Sequence, residues 1–180
     1  MEKLTILFLC TGNSCRSQMA EAVVKTLHQD RFIGYSAGSE PDLGKFPETK
    51  GVHPMALRVL QENRIWTEGL YSKSWDQFIQ QKERIDFAFT LCDNAQTEML
   101  EVCPVFPGQP MTAHWGLPDP ALATGSDEVV RKVFQDAFFL LKRRLDLLAS
   151  LPFASLQQNA LQNRVDEIGK VDAANGAISG

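Results

Sequence analysis

No apolar run in the 180-residue chain approaches the roughly 20 residues needed to cross a bilayer, and its first residues carry no secretory-signal pattern. Neither membrane nor export is therefore expected, and the setting is expected to be cytoplasmic. No basic block stands out, and a formal net charge of −4 argues against nucleic acid as a main partner. No internal repeat or domain boundary interrupts the chain. Cysteine is scarce: there are four, without the paired short spacings of structural zinc sites. His28, His53 and His114 share no spacing that points to a metal, so none is expected. Where thiols are kept reduced, four cysteines point to catalysis or metal binding more than to structural staples.

What is present begins at Leu4. Leu4 to Leu9 is a near-continuous apolar run, the pattern of a strand buried on both faces of a parallel sheet. Ser17 to His28 has helical spacing, with Met19, Val23 and Leu27 on one face. Between them lies Cys10-Thr11-Gly12-Asn13-Ser14-Cys15-Arg16, with five residues separating Cys10 from Arg16. Gly12 and Asn13 tolerate backbone angles that other residues avoid. A loop turning from strand to helix aims its N–H groups inward, and the helix N-terminus adds partial positive charge. The concavity suits a tetrahedral oxyanion, with Cys10 at its floor and Arg16 able to bind two oxygens in a fork. The same field is expected to make Cys10 a thiolate near neutral pH. The plainer alternative is a strand-turn-helix whose cysteine is only a small buried hydrophobe.

Further along, Phe32 to Ala37 reads as a second strand, and 39–51, rich in Pro and Gly, as a loop. Pro54 opens a helix, and Ser74 to Gln81 is a short one. Ile85 to Leu91 is the third strand, with Cys92 at its carboxyl end; Asp93 and Gln96 look like a helix-starting cap. Val105-Phe106 is the candidate fourth strand, Pro107 to Pro120 a loop, and Asp127 to Ser150 the longest helix. Its expected core stripe is Val130, Val133, Phe134, Ala137, Phe138, Leu141, Leu145 and Leu148. One more helix is expected over Leu156 to Ile168. Alternating strands and helices imply a single α/β domain over 1–168, with a parallel four-stranded sheet flanked by helices and a flexible tail over 169–180. Ligands of such sheets bind at the carboxyl ends of strands, where Cys10 and Cys92 both fall. Trp66, Trp75 and Trp115 read as packing anchors.

Cys10 to Ser17 followed by Gln18-Met19-Ala20-Glu21-Ala22 resembles the phosphate loop of low-molecular-weight protein tyrosine phosphatases, and within them the thioredoxin-coupled arsenate reductases. Tyr35-Ser36-Ala37-Gly38, Val52-His53-Pro54, Thr90-Leu91-Cys92-Asp93 and His114 to Ala121 extend the similarity over roughly residues 3–150. By that resemblance Cys10 is the nucleophile and Arg16 clamps the oxyanion, which the loop residues Thr11, Gly12, Asn13, Ser14 and Cys15 surround. Asn13 and Ser17 would hold the loop and its thiolate, and Asp119 would be the general acid. Read bare, Asp119 is as much a turn residue as a catalyst.

The loop alone does not separate phosphate from arsenate. A phosphatase needs one sulfur, whereas reducing As(V) takes two electrons and further thiols. The resemblance implies that Cys92 attacks Cys10, that Cys103 then attacks Cys92, and that thioredoxin or a small thiol reduces the final disulfide, with no bound cofactor. Ala121-Leu122 also stands where the phosphatases carry tyrosines. If Asp93 to Glu101 is helical, Cys92 and Cys103 are about 16 Å apart at 1.5 Å per residue, so the segment must unwind to join them. Their separation is longer than the family pattern. Cys15 is read as a buried packing thiol. Some members hold potassium through residues matching Asn13, Glu21, Ser36 and an acidic residue near whose position Lys73 falls, either as a tethered ammonium or as a surface lysine. A phosphatase acting through Cys10 and Asp119, and a non-catalytic thiol sensor, are the alternative readings.

Overall fold

In the computed structural model, which describes residues 2–102 and 104–172, Leu4–Cys10 forms strand β1 inside a four-stranded sheet. β2 (Phe32–Gly38) lies on one side of it and β3 (Phe87–Thr90) on the other, with β4 (Met111–His114) beyond β3. Every pairing is parallel, and Cys10↔Gly38, Leu9↔Thr90 and Thr90↔His114 align the carboxyl ends on one rim. Ile6 and Phe8 enter one core layer and Leu7 and Leu9 the other. Both faces of β1 are therefore buried, which is why its sequence is an unbroken apolar run rather than an alternating one. The chain leaves β1 for β2 on one side and crosses to β3 on the other. The carboxyl end of β1 is thus the switch point of the sheet, where such folds open a crevice.

One layer is built by α1 (Arg16–Leu27), α2 (Pro54–Glu62) and α5 (Asp127–Ala149), which pack on each other and on the Ile6–Phe8 face. On the opposite face, α3 (Asp76–Gln80) brings Phe78 beside Trp75 and Phe106. α4 (Asp93–Val102) starts directly after β3 at the rim, and α6 (Gln158–Ile168) packs against β4 and α5. Among the described residues no helix is long and apolar enough to cross a membrane.

Several expectations are corrected. The fourth strand is Met111–His114, inside the stretch read as loop, and not Val105-Phe106. Its residues are only partly covered, as suits an edge strand, so they give no apolar signal; Val105 is exposed and Phe106 is a core residue against Trp75. On α5, Val133 turns outward and Leu140 and Arg144 are buried instead. Trp75 and Trp115 are packing anchors, but Trp66 is 59% exposed. The loose tail does not begin at Gly169: Val171 is buried and its carbonyl is bonded by Arg144. Residues 173–180 and Cys103 lie outside the described residues.

Candidate active site

The loop after β1 is held by its carbonyls. Cys10 O and Thr11 O accept from the amides of Ser39 and Glu40, Asn13 O from the Ser72 hydroxyl and Gln18, and Ser14 O from the His53 amide. Among the described residues nothing accepts from the amides of Gly12, Asn13, Ser14 or Cys15. That asymmetry is what an anion cradle requires: oxygens tied down outside, N–H groups free within. Asn13 sits in the left-handed region at φ 52° and is fully buried. Its Nδ2 donates to Ser17 Oγ at 2.8 Å, and its Oδ1 accepts from the Lys73 amide and Gln18 Nε2 at 3.0 Å each. Three side-chain bonds offset the cost of that backbone conformation. Gly38 backs the loop so closely that a Cβ there would lie 2.4 Å from Thr11 O.

Arg16, the first residue of α1, is almost wholly buried. Its Nη1 donates to Leu117 O at 2.9 Å and more weakly to Leu91 O, and its Nη2 lies 3.7 Å from Asp119 Oδ2. Its Nε is buried with no partner, a donor left over for an oxyanion. Asp119 caps a 3-10 turn at Pro120–Leu122 through the Ala121 amide and also accepts from the Cys15 thiol, 3.8 Å away. It is therefore both the turn residue and a carboxylate at the cradle. Cys15 is buried as expected, and burial raises its pKa. A cleft of about 830 Å³ opens beside Arg16 and Asp119, bounded on its far side by His114 and Asp166.

Cys10 and Cys92 meet at the rim in one buried cluster with Ala95. They share one proton, because two thiolates in contact would repel. Cys92 is pulled down to about 5, first by the Cys10 thiol donating to it and then by the Thr11 hydroxyl, 3.5 Å away, and the Ala95 amide at 3.4 Å. Cys10 is pushed up by that donation and by burial, against the pull of Arg16. The pair holds one negative charge between its two sulfurs, drawn to Cys10 by Arg16 and to Cys92 by its own donors. The expected helix cap is corrected. Asp93 is the first residue of α4, and the cap is the Cys92 sulfur, which takes the Ala95 amide. Asp93 instead reaches His114 Nε2 at 3.1 Å, while His114 Nδ1 meets Thr90 Oγ1 at 2.8 Å.

Lys73 is not a surface lysine. Its Nζ lies 3.3 Å from Glu21 Oε1 and donates to Tyr71 O at 3.0 Å. Lys25 holds the other Glu21 oxygen at 3.2 Å, and the Ser36 amide donates to Oε1 at 2.8 Å. Two ammonium groups already neutralise the buried carboxylate, so this donor set does not fit a potassium ion. Sequence reasoning missed Ser72 as a support of Asn13 and Thr11 as a partner of Cys92. Neither had a local signal, since each acts across more than 50 residues of chain.

A parallel sheet whose switch-point loop offers free amides, a cysteine and an arginine defines a phosphatase-type oxyanion site. The profile of the low molecular weight phosphotyrosine protein phosphatase family matches residues 5–162, and the chain belongs to that family. Within it, an arsenate reductase of Halalkalibacterium halodurans is 42% identical over 75% of this chain and 87% of its own length. One of Oceanobacillus iheyensis is 37% identical over 83% of this chain and 97% of its own. A solved structure of an arsenate reductase in the phosphate binding state superposes with a TM-score of 0.58 at 26% identity, covering 82% of this chain and 97% of that one.

Proposed function

We propose that the protein reduces arsenate to arsenite by a thiol relay. The observation that carries the reading is the buried pair Cys10–Cys92, one sulfur in the oxyanion cradle and the other beside it. Arsenate binds the loop amides and the Arg16 guanidinium, which favour its negative charge. The shared proton rests on Cys92 as the Cys10 thiolate, favoured by the Arg16 charge, attacks arsenic. Asp119 protonates the departing oxygen, leaving an arseno-thiol adduct on Cys10. Cys92 then loses its proton and attacks the Cys10 sulfur. A sulfur–sulfur bond forms, the sulfur–arsenic bond breaks, and its electron pair leaves with As(III). The two sulfurs are oxidised to a disulfide, As(V) gains two electrons, and one arsenate oxygen departs as water, its two protons matched by the one the thiol pair releases and one taken from solvent. Cys103 would take the disulfide from Cys10 by attacking Cys92, and thioredoxin or a small thiol would reduce it. The reading places the protein in the cytoplasm, where that reductant is kept available.

The test is arsenate-dependent NADPH oxidation in the presence of thioredoxin and its reductase, for wild type and for Cys10→Ser, Cys92→Ser and Cys103→Ser. Turnover is expected to need all three cysteines. Turnover that survives Cys103→Ser would move the reductant to a small thiol acting on Cys92. The family membership and the Arg16–Asp119 contact also suit a phosphatase. Steady aryl phosphate hydrolysis without arsenate turnover would replace the reductase reading with that one, and arsenite binding without any turnover would leave a thiol sensor.

A further inference from the structure

The segment that carries Asp119 to the cradle is gripped from both sides. On the cradle side Arg16 Nη1 holds Leu117 O at 2.9 Å, and the Leu117 amide donates to Leu91 O. On the other side stands Arg144 of α5, only 4% exposed although it carries a full charge. Its Nη1 donates to Trp115 O at 2.8 Å and Gly116 O at 3.3 Å, and its Nε and Nη2 both donate to Val171 O, at 3.1 and 2.9 Å. These partners are backbone carbonyls, so the guanidinium acts as a rivet between two stretches of main chain. Burial alone lowers its pKa to about 10, and it stays protonated at neutral pH.

The second stretch reaches the same place by other contacts. Trp115, fully buried and stacked on Phe89 at 4.3 Å, donates its indole N–H to Val165 O at 3.0 Å. Gly169 lies so close that a Cβ on it would be 2.6 Å from Trp115 Cδ1 and 2.7 Å from His114 O. Val165, Gly169 and Val171 all follow residue 162, where the family match stops. Beyond Gly116 the path to Asp119 is short and stiff, because Pro118 and Pro120 fix their own backbone angles and restrict their neighbours. A displacement at Trp115-Gly116 is therefore passed on to Asp119 and not absorbed.

We infer that Arg144, riveting the end of β4 to Val171, is the positioning residue that sets Asp119 against the cradle, and that the segment after α6 is part of this device. The inference rests on the reading of Asp119 as the general acid. Arg144 touches no reacting atom; it acts through Gly116 to Asp119.

The test uses full-length Arg144→Met, Arg144→Lys and Gly169→Ala, each alone and combined with Asp119→Asn, with folding checked by circular dichroism. Arsenate turnover and inhibition by inorganic phosphate are measured for each. A misplaced acid loses part of the 10²–10⁴-fold that acid catalysis supplies, so Arg144→Met is expected to lower kcat about tenfold. Phosphate inhibition, which reads the cradle, should change less than about twofold. On the Asp119→Asn background the further loss should vanish, since the two residues act as one unit. Arg144→Lys should recover part of the rate, because one ammonium reaches some of the carbonyls. If Arg144→Met does not fold, Gly169→Ala, which pushes the same contact apart, carries the cycle. An equal loss with and without Asp119, or a parallel loss of phosphate inhibition, would overturn the inference and leave the reductase reading intact. Should wild type turn over aryl phosphate and not arsenate, the reductase reading falls, and the same cycle on aryl phosphate tests Arg144. A wild type inactive on both would sink the acid role of Asp119 and this inference with it.

Discussion

The two sulfurs meet at one rim, yet the structures behind them are opposites. Cys10 ends a central strand and is followed by α1, which buries nine consecutive residues from Arg16 to Val24. Cys92 is followed by α4, in which Ala95 is the one buried residue among Asp93 to Leu100. The loop after Cys10 is tied by the three side-chain bonds of Asn13 and by its own carbonyls. The start of α4 is tied by the Cys92 sulfur on the Ala95 amide and by the Asp93–His114 contact, with Asp93 94% exposed. Helical stability in proteins comes mostly from burying an apolar face, so α4 is poised to open at low cost and α1 is not. In the proposed relay the difference suits two tasks: a nucleophile is held in place against its substrate, whereas a resolving thiol must first reach one sulfur and then move toward another.

The largest effects should come from the sulfurs themselves. Cys10→Ser is expected to lose at least about 10³-fold in arsenate turnover, and so is Cys92→Ser, but the second should still form one adduct per chain. Rapid-quench detection of arsenic bound to Cys92→Ser separates the two roles; its absence would break the division between nucleophile and resolver.

Next come the supports. Asn13→Ala removes three buried hydrogen bonds and leaves a left-handed backbone to a residue that resists it. A loss of about 2–4 kcal/mol in urea unfolding is expected. Asp93→Ala, on the opposing side, should cost under about 0.5 kcal/mol in the same assay, because its partner contact is exposed. Similar losses at both positions would contradict the contrast between a rigid cradle and a loosely held helix.

Lys73→Met strips one ammonium from buried Glu21 and is expected to cost about 2–3 kcal/mol, somewhat less than a fully unpaired buried charge because Lys25 remains. Replacing sodium by potassium should leave the wild-type melting temperature unchanged, since Lys73 occupies the carboxylate. A potassium-specific rise would show that a cation site persists there.

The smallest effect sharpens the chemistry of the pair. With Cys92 lowered to about 5, the thiolate is the deprotonated form and is present above that pH. Iodoacetamide alkylation of Cys92 should therefore rise as pH passes upward through about 5 and be level near neutrality. Thr11→Val removes a donor to that thiolate and should move the rise to higher pH. An unshifted profile would remove Thr11 from the account.

Much of this was legible from residue order. β1 and α1 announce themselves because a strand buried on two faces must be apolar throughout and a core helix must repeat its apolar face. Cys10 and Arg16 follow from the same stretch. β4 was not legible, because a half-covered edge strand of Met, Thr, Ala and His carries no periodic signal. Val105-Phe106 looked more strand-like and is a loop that drops one ring into the core. Asp119 was visible as a turn-former, which it is, while its approach to Arg16 depends on a fold that brings together residues more than 100 positions apart.

What the chain alone determined is therefore local: the strand-loop-helix, the anion-binding character of its turn, and the placement of two cysteines at strand ends on a common rim. These follow from backbone geometry and from patterns within a few residues. Tertiary structure decided the rest. It brought Cys10 and Cys92 together in one buried cluster, so that a single negative charge is divided between two sulfurs more than 80 positions apart. It buried Lys73 against Glu21, where a lysine read in isolation could as well face water. It also turned a segment read as a loose tail into a brace, because the carbonyls of Trp115, Gly116 and Val171 converge on one buried guanidinium. Hydrogen bonds between distant main-chain atoms leave no mark on side-chain identity, so no reading of the residues in order could have found them.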